Sequence, residues 1–482
     1  MRPLAKTLVA LVLIGLSVWV LEGARSGVEV TRSTVGETPV TSYAEPGADG
    51  PVVVVAHGFA GSSQMMQGYA LPLARAGYRV HAFDFLGHGR HPVPMSGDVT
   101  AAEGTTRLLV DQTAAVIDAV ASGEAPVALL GHSMATDVLV RVAAERDDVG
   151  PLVLLSAFSQ EITATRPETL LLVTGAWEPG LRGFALEAAR MVDPEAEEGE
   201  TVTTGEVTRR AVVAPFTEHV SILHSRVARM EALDWLDRVH GRNSDVTIRP
   251  TGPAIVGLLT GLVLLVVAAA RRLTVREVAP AALGRWRLAA AALLPAVAAP
   301  PLAVVFEPAF LPVLVADYLA LHLAIYGAIQ LGLLALWRIP LGPFSTDGFV
   351  FLIAGCGLVI IALDRYAANF VPTPERLWII AALLTGAVPY FVADARLSHR
   401  APMGRRLALH GAFLASLGGA VALDFEGLFF LLMIAPVIVL FYLVFGSMGH
   451  AVSARSGPVA AGLALGLVLA LALGVSFPLF EA

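Results

Sequence analysis

Cysteine and charge are what this chain has least of. A single cysteine, Cys356, stands among 482 residues, so neither a disulfide framework nor a thiolate zinc site can be assembled. Charged residues make up only 15% of the chain against 56% hydrophobic ones, and the mean hydropathy is +0.69. That excludes a wholly soluble protein and points to several membrane spans. The scarcity is uneven. Residues from about 27 to 249 contain turns, charges and short strand patterns, whereas nearly everything after Thr251 is apolar. Residues 27–250 hold 17 basic and 29 acidic side chains, a net of about −12, while the part from 251 onward holds 13 and 10. A domain this acidic lacks the basic footprint that nucleic acid requires, so no nucleic-acid partner is expected.

At the N-terminus, Arg2 and Lys6 precede an apolar run from about Leu8 to Leu21, which reads as a signal peptide or an uncleaved anchor. Leu21-Glu22-Gly23-Ala24-Arg25 is a weak cleavage site and favours a signal anchor over residues 1–26. Either way, the domain that follows is sent across the lipid bilayer. Further apolar runs lie at about 252–270, 288–306, 309–337, 348–363, 377–394, 407–423, 427–446 and 457–478. Each can cross roughly 30 Å of hydrocarbon, which predicts eight helices in a transmembrane domain over residues 250–482. The stretches around Pro300 and Pro312 leave room for broken or re-entrant helices. Arginine placement sets the sidedness. Arg271, Arg272, Arg276, Arg285 and Arg287 fill one loop, Arg338 another, Arg396, Arg400, Arg405 and Arg406 a third and Arg455 a fourth. These are alternate loops. The opposite loops carry Glu307, Asp364 with Arg365, Glu375 with Arg376, Asp424 and Glu426, so the soluble domain is expected on the non-cytoplasmic side.

Within residues 27–249, strand patterns occur at Val28–Val35, Pro39–Tyr43, Val52–Ala56, Arg79–Phe83, Val127–Leu130, Leu152–Leu155, Leu170–Thr174 and Ala211–Val213. Continuous valine and leucine runs alternating with helical stretches such as 102–121 predict a parallel sheet covered on both faces. Val127–Leu130 runs into Gly131-His132-Ser133-Met134-Ala135 and then into an amphipathic helix. A strand, a small-X-Ser-X-small turn and a helix form a nucleophile elbow, which lifts the serine hydroxyl out of the sheet edge. Ala135 departs from the usual glycine by a single methyl. Earlier, Val52–Ala56 leads into His57-Gly58-Phe59-Ala60-Gly61. Glycine there lets the backbone approach a developing oxyanion, and the amides of Phe59 and Met134 are the expected oxyanion hole.

The next strand ends in Asp84-Phe85-Leu86-Gly87-His88-Gly89-Arg90. Together, the strand-His-Gly turn, this segment and Gly131–Ala135 resemble the α/β-hydrolase superfamily in order and spacing, over about residues 28–240. The resemblance implies an α/β fold, an α/β-hydrolase sheet with helices on both faces and a minimal lid, followed here by an all-α polytopic transmembrane bundle. It makes Asp84 and His88 scaffold. A serine needs a base, and the base needs an orienting carboxylate. The resemblance places the base at His219, after the last strand, and the acid at Glu178, just after Leu170–Thr174, with Glu161 a competitor and Asp193 a more distant one. His224 is expected to face elsewhere. Only about a dozen residues separate Leu155 from Thr169, where many relatives insert a lid. An open site implies a bulky substrate or a cover supplied by the membrane half. The acidic run from Asp193 to Glu200 reads as a solvated loop.

In the run 309–337, Asp317, Tyr318, His322, Tyr326 and Gln330 interrupt the apolar sequence, four of them at every fourth position and so on one helix face. Buried polar groups of this kind serve either a head-group or acyl-acceptor site beneath the hydrolase or interhelical hydrogen bonds. The expected function is a membrane-integrated serine hydrolase that cleaves a lipid or cell-envelope acyl ester through an acyl-enzyme on Ser133. An acyltransferase using the same intermediate is the nearest alternative, a peptidase a weaker one, and a transporter or receptor-like protein with a hydrolase-like binding domain the rival from another class. No organic cofactor or metal is implied, and nothing in the sequence sets an oligomeric state.

Overall fold

The computed structural model describes residues 3–97, 102–121, 126–306 and 310–481; Glu307 lies outside them. In chain order, helix α1 (Pro3–Arg25) leads to strands β1 (Glu29–Val35), β2 (Thr38–Ala44) and β3 (Val52–Ala56), helix α2 (Gln67–Arg75) and strand β4 (Arg79–Phe83). Helix α3 (Arg107–Val120), β5 (Val127–His132), α4 (Met134–Glu145), β6 (Val149–Leu155), β7 (Thr169–Gly175) and α5 (Pro179–Arg190) follow. Strands β8 (Thr201–Thr204) and β9 (Val207–Ala214) and helix α6 (Arg226–Val239) complete this half.

The nine strands form one sheet in the order β1-β2-β4-β3-β5-β6-β7-β9-β8. The six strands from β4 to β9 are parallel, while β1 and β2 at one edge and β8 at the other run antiparallel. The expectation of a parallel sheet therefore holds for the centre and not for the edges. Parallel neighbours need a long crossover, whereas β1–β2 and β8–β9 are joined by two-residue Gly-Glu turns that open on Gly36 and Gly205 at positive φ. Strand β8, four residues long, lies outside the strand patterns of the sequence. Strand alternation splits the core in two. Val53 and Val55 pack with α2 and α6, and Val52 and Val54 pack with α3, α4 and α5. All five residues of β3 are buried, each valine contributing about 2 kcal/mol by leaving water. Residues 156–168 between β6 and β7 hold no helix, in line with the minimal lid.

The remaining chain is helical: α7 (Thr251–Ala269), α8 (Arg285–Val305), α9 (Ala316–Leu336), α10 (Thr346–Tyr366), α11 (Arg376–Leu397) and α12 (Met403–Leu423). A short α13 (Phe425–Leu428) precedes α14 (Leu431–Phe441), which passes through a π-helical turn at Tyr442–Gly446 into α15 (Ser447–Ser456), and α16 (Pro458–Ser476) ends the bundle. Among the described residues, nine helices are long and apolar enough to cross a membrane, compatible with a multi-pass membrane protein. Helix α8 stays continuous through Pro295, Pro300 and Pro301, and Pro312 lies before α9 begins. Small residues set the closest helix contacts. A Cβ on Gly386 of α11 would lie 2.1 Å from the Ala320 carbonyl oxygen of α9, so only glycine permits that approach.

One end of the bundle grips the sheet domain. Arg90 reaches Asp364 at 3.0 Å and Asn369 at 2.9 Å, and Arg376 donates to the Gly87 carbonyl at 2.8 Å. The C-terminal segment adds backbone bonds between Met95 and Leu479 and between Leu479 and Gly87, both 2.9 Å. At the far end, the arginine-bearing loops bind each other, as in the 2.8 Å bond from the Arg276 amide to the Arg455 carbonyl.

Candidate active site

Three loops at the carboxyl ends of the central strands carry the candidate residues, the position where an open α/β sheet forms its crevice. Ser133 follows β5 with φ 54° and ψ −119°, a strained conformation held by the elbow. The elbow needs its small flanks. A Cβ on Gly131 would come 2.6 Å from Leu139 Cδ1 and 3.2 Å from Ala135 Cβ, so the strand and helix already touch at Ala135.

Glu178 stands after β7, at the start of α5, where Pro179 fits the first helical turn. His219 lies in the loop after β9. That loop reaches Glu178 because residue 175 is glycine; a Cβ there would sit 2.6 Å from the Thr217 carbonyl oxygen. Glu218 accepts the amides of Val220 and Ser221 at 2.9 and 2.7 Å, fixing the backbone on either side of His219.

These loops bring the three side chains into one hydrogen-bonded chain. His219 Nε2 lies 2.7 Å from Ser133 Oγ, and His219 Nδ1 lies 2.7 Å from Glu178 Oε1. Glu178 Oε2 accepts from Ser156 Oγ and from the Gly175 amide, both at 2.7 Å. Burial raises the pKa of the Glu178 carboxyl, but the hydrogen bonds from His219, Ser156 and Gly175 outweigh it and hold it below the usual carboxylate range. Glu178 is 6% exposed and His219 42%, so the acid is enclosed while the imidazole faces the cavity. Glu161 is elsewhere, paired with Arg141 at 3.1 Å. Asp193 accepts the Glu195 amide in its own loop. His224 faces away and packs against Gly252 at the start of α7.

The Phe59 amide belongs to a tight turn, Gly58–Gly61, whose own hydrogen bond runs from the Gly61 amide to the Gly58 carbonyl at 3.0 Å and leaves Phe59 N–H out. Gly58 lies against the elbow, since a Cβ on it would sit 3.0 Å from Ser133 Cβ. Met134 opens α4, with its amide at the positive end of the helix. His57 joins this turn to the β4 loop. Its Nε2 accepts from the Phe85 amide at 3.1 Å, so Nδ1 carries the proton and donates to the Gly58 carbonyl at 2.7 Å. Asp84 accepts the amides of Ser63 and Arg90 at 2.6 and 3.0 Å, and His88 Nδ1 bonds the Leu86 carbonyl at 2.8 Å. Both bind loops and neither touches His219.

Ser133, His219, Phe59 and Met134 line a cavity of about 630 Å³, walled also by Phe430 and Met433 of the helical half. The bundle thus supplies part of the cover that the short 156–168 loop lacks. Phe430 also packs on Phe59, with ring centroids 5.2 Å apart. None of Asp317, Tyr318, His322, Tyr326 or Gln330 lines this cavity; Tyr318, Tyr326 and Gln330 instead reach the carbonyls of Pro300, Ala292 and Ala291 on α8, the interhelical bonding that is the other reading of the stripe.

Two residues of this arrangement were not singled out in the sequence. Ser156, at φ 50° just after β6, orients Glu178; its place at a strand end was the available signal. His132 is buried, and its Nε2–H donates to the His219 carbonyl at 2.7 Å. Burial, reinforced by the neighbouring His219, pushes His132 down to about 4, and burial likewise pushes His81 and His224 down to about 4. Keeping a histidine neutral in the fold costs nothing above its unfolded value near 6.5. The stability is therefore fully present above that pH and is lost as pH falls from about 6.5 towards 4, by at most about 3 kcal/mol for each group. Thermal unfolding from pH 7.5 to 4.5 should show the midpoint falling below pH 6.5, with a shallower fall in His132→Gln; a flat profile would contradict this.

A parallel-centred sheet with an elbow serine, a loop histidine and a buried carboxylate in sequence is an α/β-hydrolase-like arrangement. The family model described as serine aminopeptidase, S33, matches residues 48–189, a stretch that includes Ser133 and Glu178 and ends before His219. The chain therefore combines an α/β-hydrolase-like sheet with a multi-helix bundle. Among solved structures, a CIB-like hydrolase from Thermoplasma acidophilum is similar at 16% identity over 44% of this chain and 100% of its own, with a TM-score of 0.35. A putative lipase from Acinetobacter baumannii is similar at 13% identity over 48% of this chain and 97% of its own, with a TM-score of 0.35. A laboratory-evolved variant of potato epoxide hydrolase is similar at 15% identity over 44% of this chain and 99% of its own, with a TM-score of 0.34. No curated protein matches the chain.

Proposed function

We propose that this protein is a membrane-integrated serine hydrolase that cleaves an acyl ester of a lipid or envelope component. The observation that carries the reading is the Ser133–His219–Glu178 chain opening into a cavity partly walled by Phe430 and Met433. Ser133 Oγ attacks the ester carbonyl while His219 Nε2 takes its proton. Glu178 holds Nδ1–H and stabilises the imidazolium. The amides of Phe59 and Met134 receive the oxyanion. His219 then returns the proton to the leaving alcohol, and water, activated by the same imidazole, releases the acid from Ser133. An alcohol in place of that water would make the same site an acyltransferase.

The proposed organisation is an anchor over residues 1–26, a hydrolase domain over 27–249 and a transmembrane domain over 250–482. In this reading the hydrolase lies on the non-cytoplasmic side, because the arginine-rich loops gather at the far end of the bundle. A Glu197→Cys variant should then react with an impermeant thiol reagent in intact cells. Protection there, with labelling of Arg400→Cys, would reverse the orientation.

The apolar wall from α14 and its preceding turn favours a substrate whose acyl chain lies in the bilayer. Phe430→Ala enlarges that wall, so turnover of a series of vesicle-borne acyl esters should shift towards longer chains. Equal turnover of water-soluble short esters and bilayer-borne ones, unaffected by Phe430→Ala, would oppose a lipid substrate.

A further inference from the structure

The bundle holds a second set of ionisable groups that the ester chemistry does not use. At the hydrolase end, Tyr318 Oη lies 3.0 Å from His322 Nδ1, and His322 Nε2 lies 3.1 Å from Ser416 Oγ of α12. Asp317, one residue before Tyr318, accepts the amides of Phe310 and Leu311 through Oδ2 at 3.0 and 2.8 Å, while its buried Oδ1 has no partner among the described residues. Towards the far end, Tyr390 and Tyr442 share a hydrogen bond through their hydroxyls. Tyr442 stacks on His410 with ring centroids 3.9 Å apart and planes 2° apart, and His410 Nε2 lies 3.2 Å from Asp394. That second group borders a narrow cleft of about 20 Å³, room for about one water, lined by Asp394, Arg406, His410, Tyr442, His450 and Ser453.

The two groups lie on one line through the bundle. His322 is six residues from the start of α9 and His410 seven from the start of α12, and these helices begin at opposite ends. At 1.5 Å per residue each imidazole sits about 10 Å inside a hydrocarbon layer roughly 30 Å thick, leaving about 10 Å between them. Phe413 fills this gap, with ring centroids 6.0 Å from His322, 5.2 Å from Tyr326 and 4.5 Å from Tyr390. Gln330, one turn beyond Tyr326, leaves its buried Oε1 without a partner among the described residues. Hydroxyl or amide pairs suffice for interhelical hydrogen bonding. Two histidines at this depth are costly, each with a carboxylate nearer its own end of the bundle, Asp317 at the start of α9 and Asp394 near the end of α11, and groups of that kind line proton relays.

We propose that the helical bundle carries a proton-transfer path through His322 and His410, with Phe413 as its dry barrier. Histidine and tyrosine relay by accepting a proton on one side while releasing one on the other, so each returns to its neutral form and one proton advances per step. Across Phe413 the transfer uses transient water. The path opens at the cleft beside Arg406 and His450 and ends on the hydrolase side near the buried Asp317 carboxylate.

The test needs no ester. Full-length protein is reconstituted into phosphatidylcholine vesicles containing a pH-sensitive dye, and a potassium diffusion potential is applied with valinomycin. Phe413→Ala should pass protons faster than the wild type and than protein-free vesicles. Adding His410→Phe, or His322→Phe, in the Phe413→Ala background should return the flux to the protein-free level, which a leak through a misfolded bundle would not do. A Phe413→Ala flux no greater than that of the wild type, or one that survives either histidine substitution, overturns the proposal.

Discussion

Ser133→Ala should abolish labelling by a fluorophosphonate probe and lower ester hydrolysis by ~10⁴- to 10⁶-fold, with the fold unchanged. The magnitude follows from what the hydroxyl does. Without Oγ no acyl-enzyme forms, and His219 can only assist water in an attack for which it is not placed. Alanine removes one oxygen from a half-open position, and the strained φ of 54° at residue 133 arises from the elbow rather than from the side chain. Thermal stability should therefore hold or rise slightly as activity disappears. Undiminished hydrolysis by the folded variant would remove Ser133 from the chemistry.

Glu178→Gln is expected to lower kcat by about 10⁴-fold with little change in KM. The cause is the set of hydrogen bonds. Glu178 Oε2 accepts from Ser156 Oγ and the Gly175 amide, and Oε1 faces His219 Nδ1. A glutamine keeps its carbonyl oxygen where two donors already point, which turns its NH₂ towards Nδ1. His219 must then carry its proton on Nε2, and a protonated Nε2 cannot accept from Ser133. Fluorophosphonate labelling should persist at a reduced rate, which separates a misdirected base from an unfolded site. A loss of under tenfold would mean that another group orients His219.

The sequence carried the parts of this site that local chemistry dictates. Gly131, Ser133 and Ala135 announce the elbow because steric demands act within five residues, and the structure shows why alanine suffices at 135: the opposite position is Gly131, where an added Cβ would lie 3.2 Å from the Ala135 methyl and begin to crowd it. Glu178 and Glu161 looked alike as carboxylates beyond strand ends. Only folding separates them, by pairing Glu161 with Arg141 and bringing Glu178 to His219. The antiparallel edges hinged on two Gly-Glu turns, and β8 is a four-residue strand with half its side chains exposed, too short for a pattern. His132 acts through a backbone carbonyl 87 residues away, and Phe430 reaches the cavity from the other half of the chain. Contacts at such separations leave no periodic trace in a single sequence.

The measurement closest to the central claim is the intact mass and peptide map of the purified full-length protein after fluorophosphonate treatment. The account predicts one adduct, on Ser133, formed rapidly by the wild type, slowly by Glu178→Gln and not at all by Ser133→Ala. A folded wild-type protein that takes up no probe, or takes it up at another residue, would contradict it.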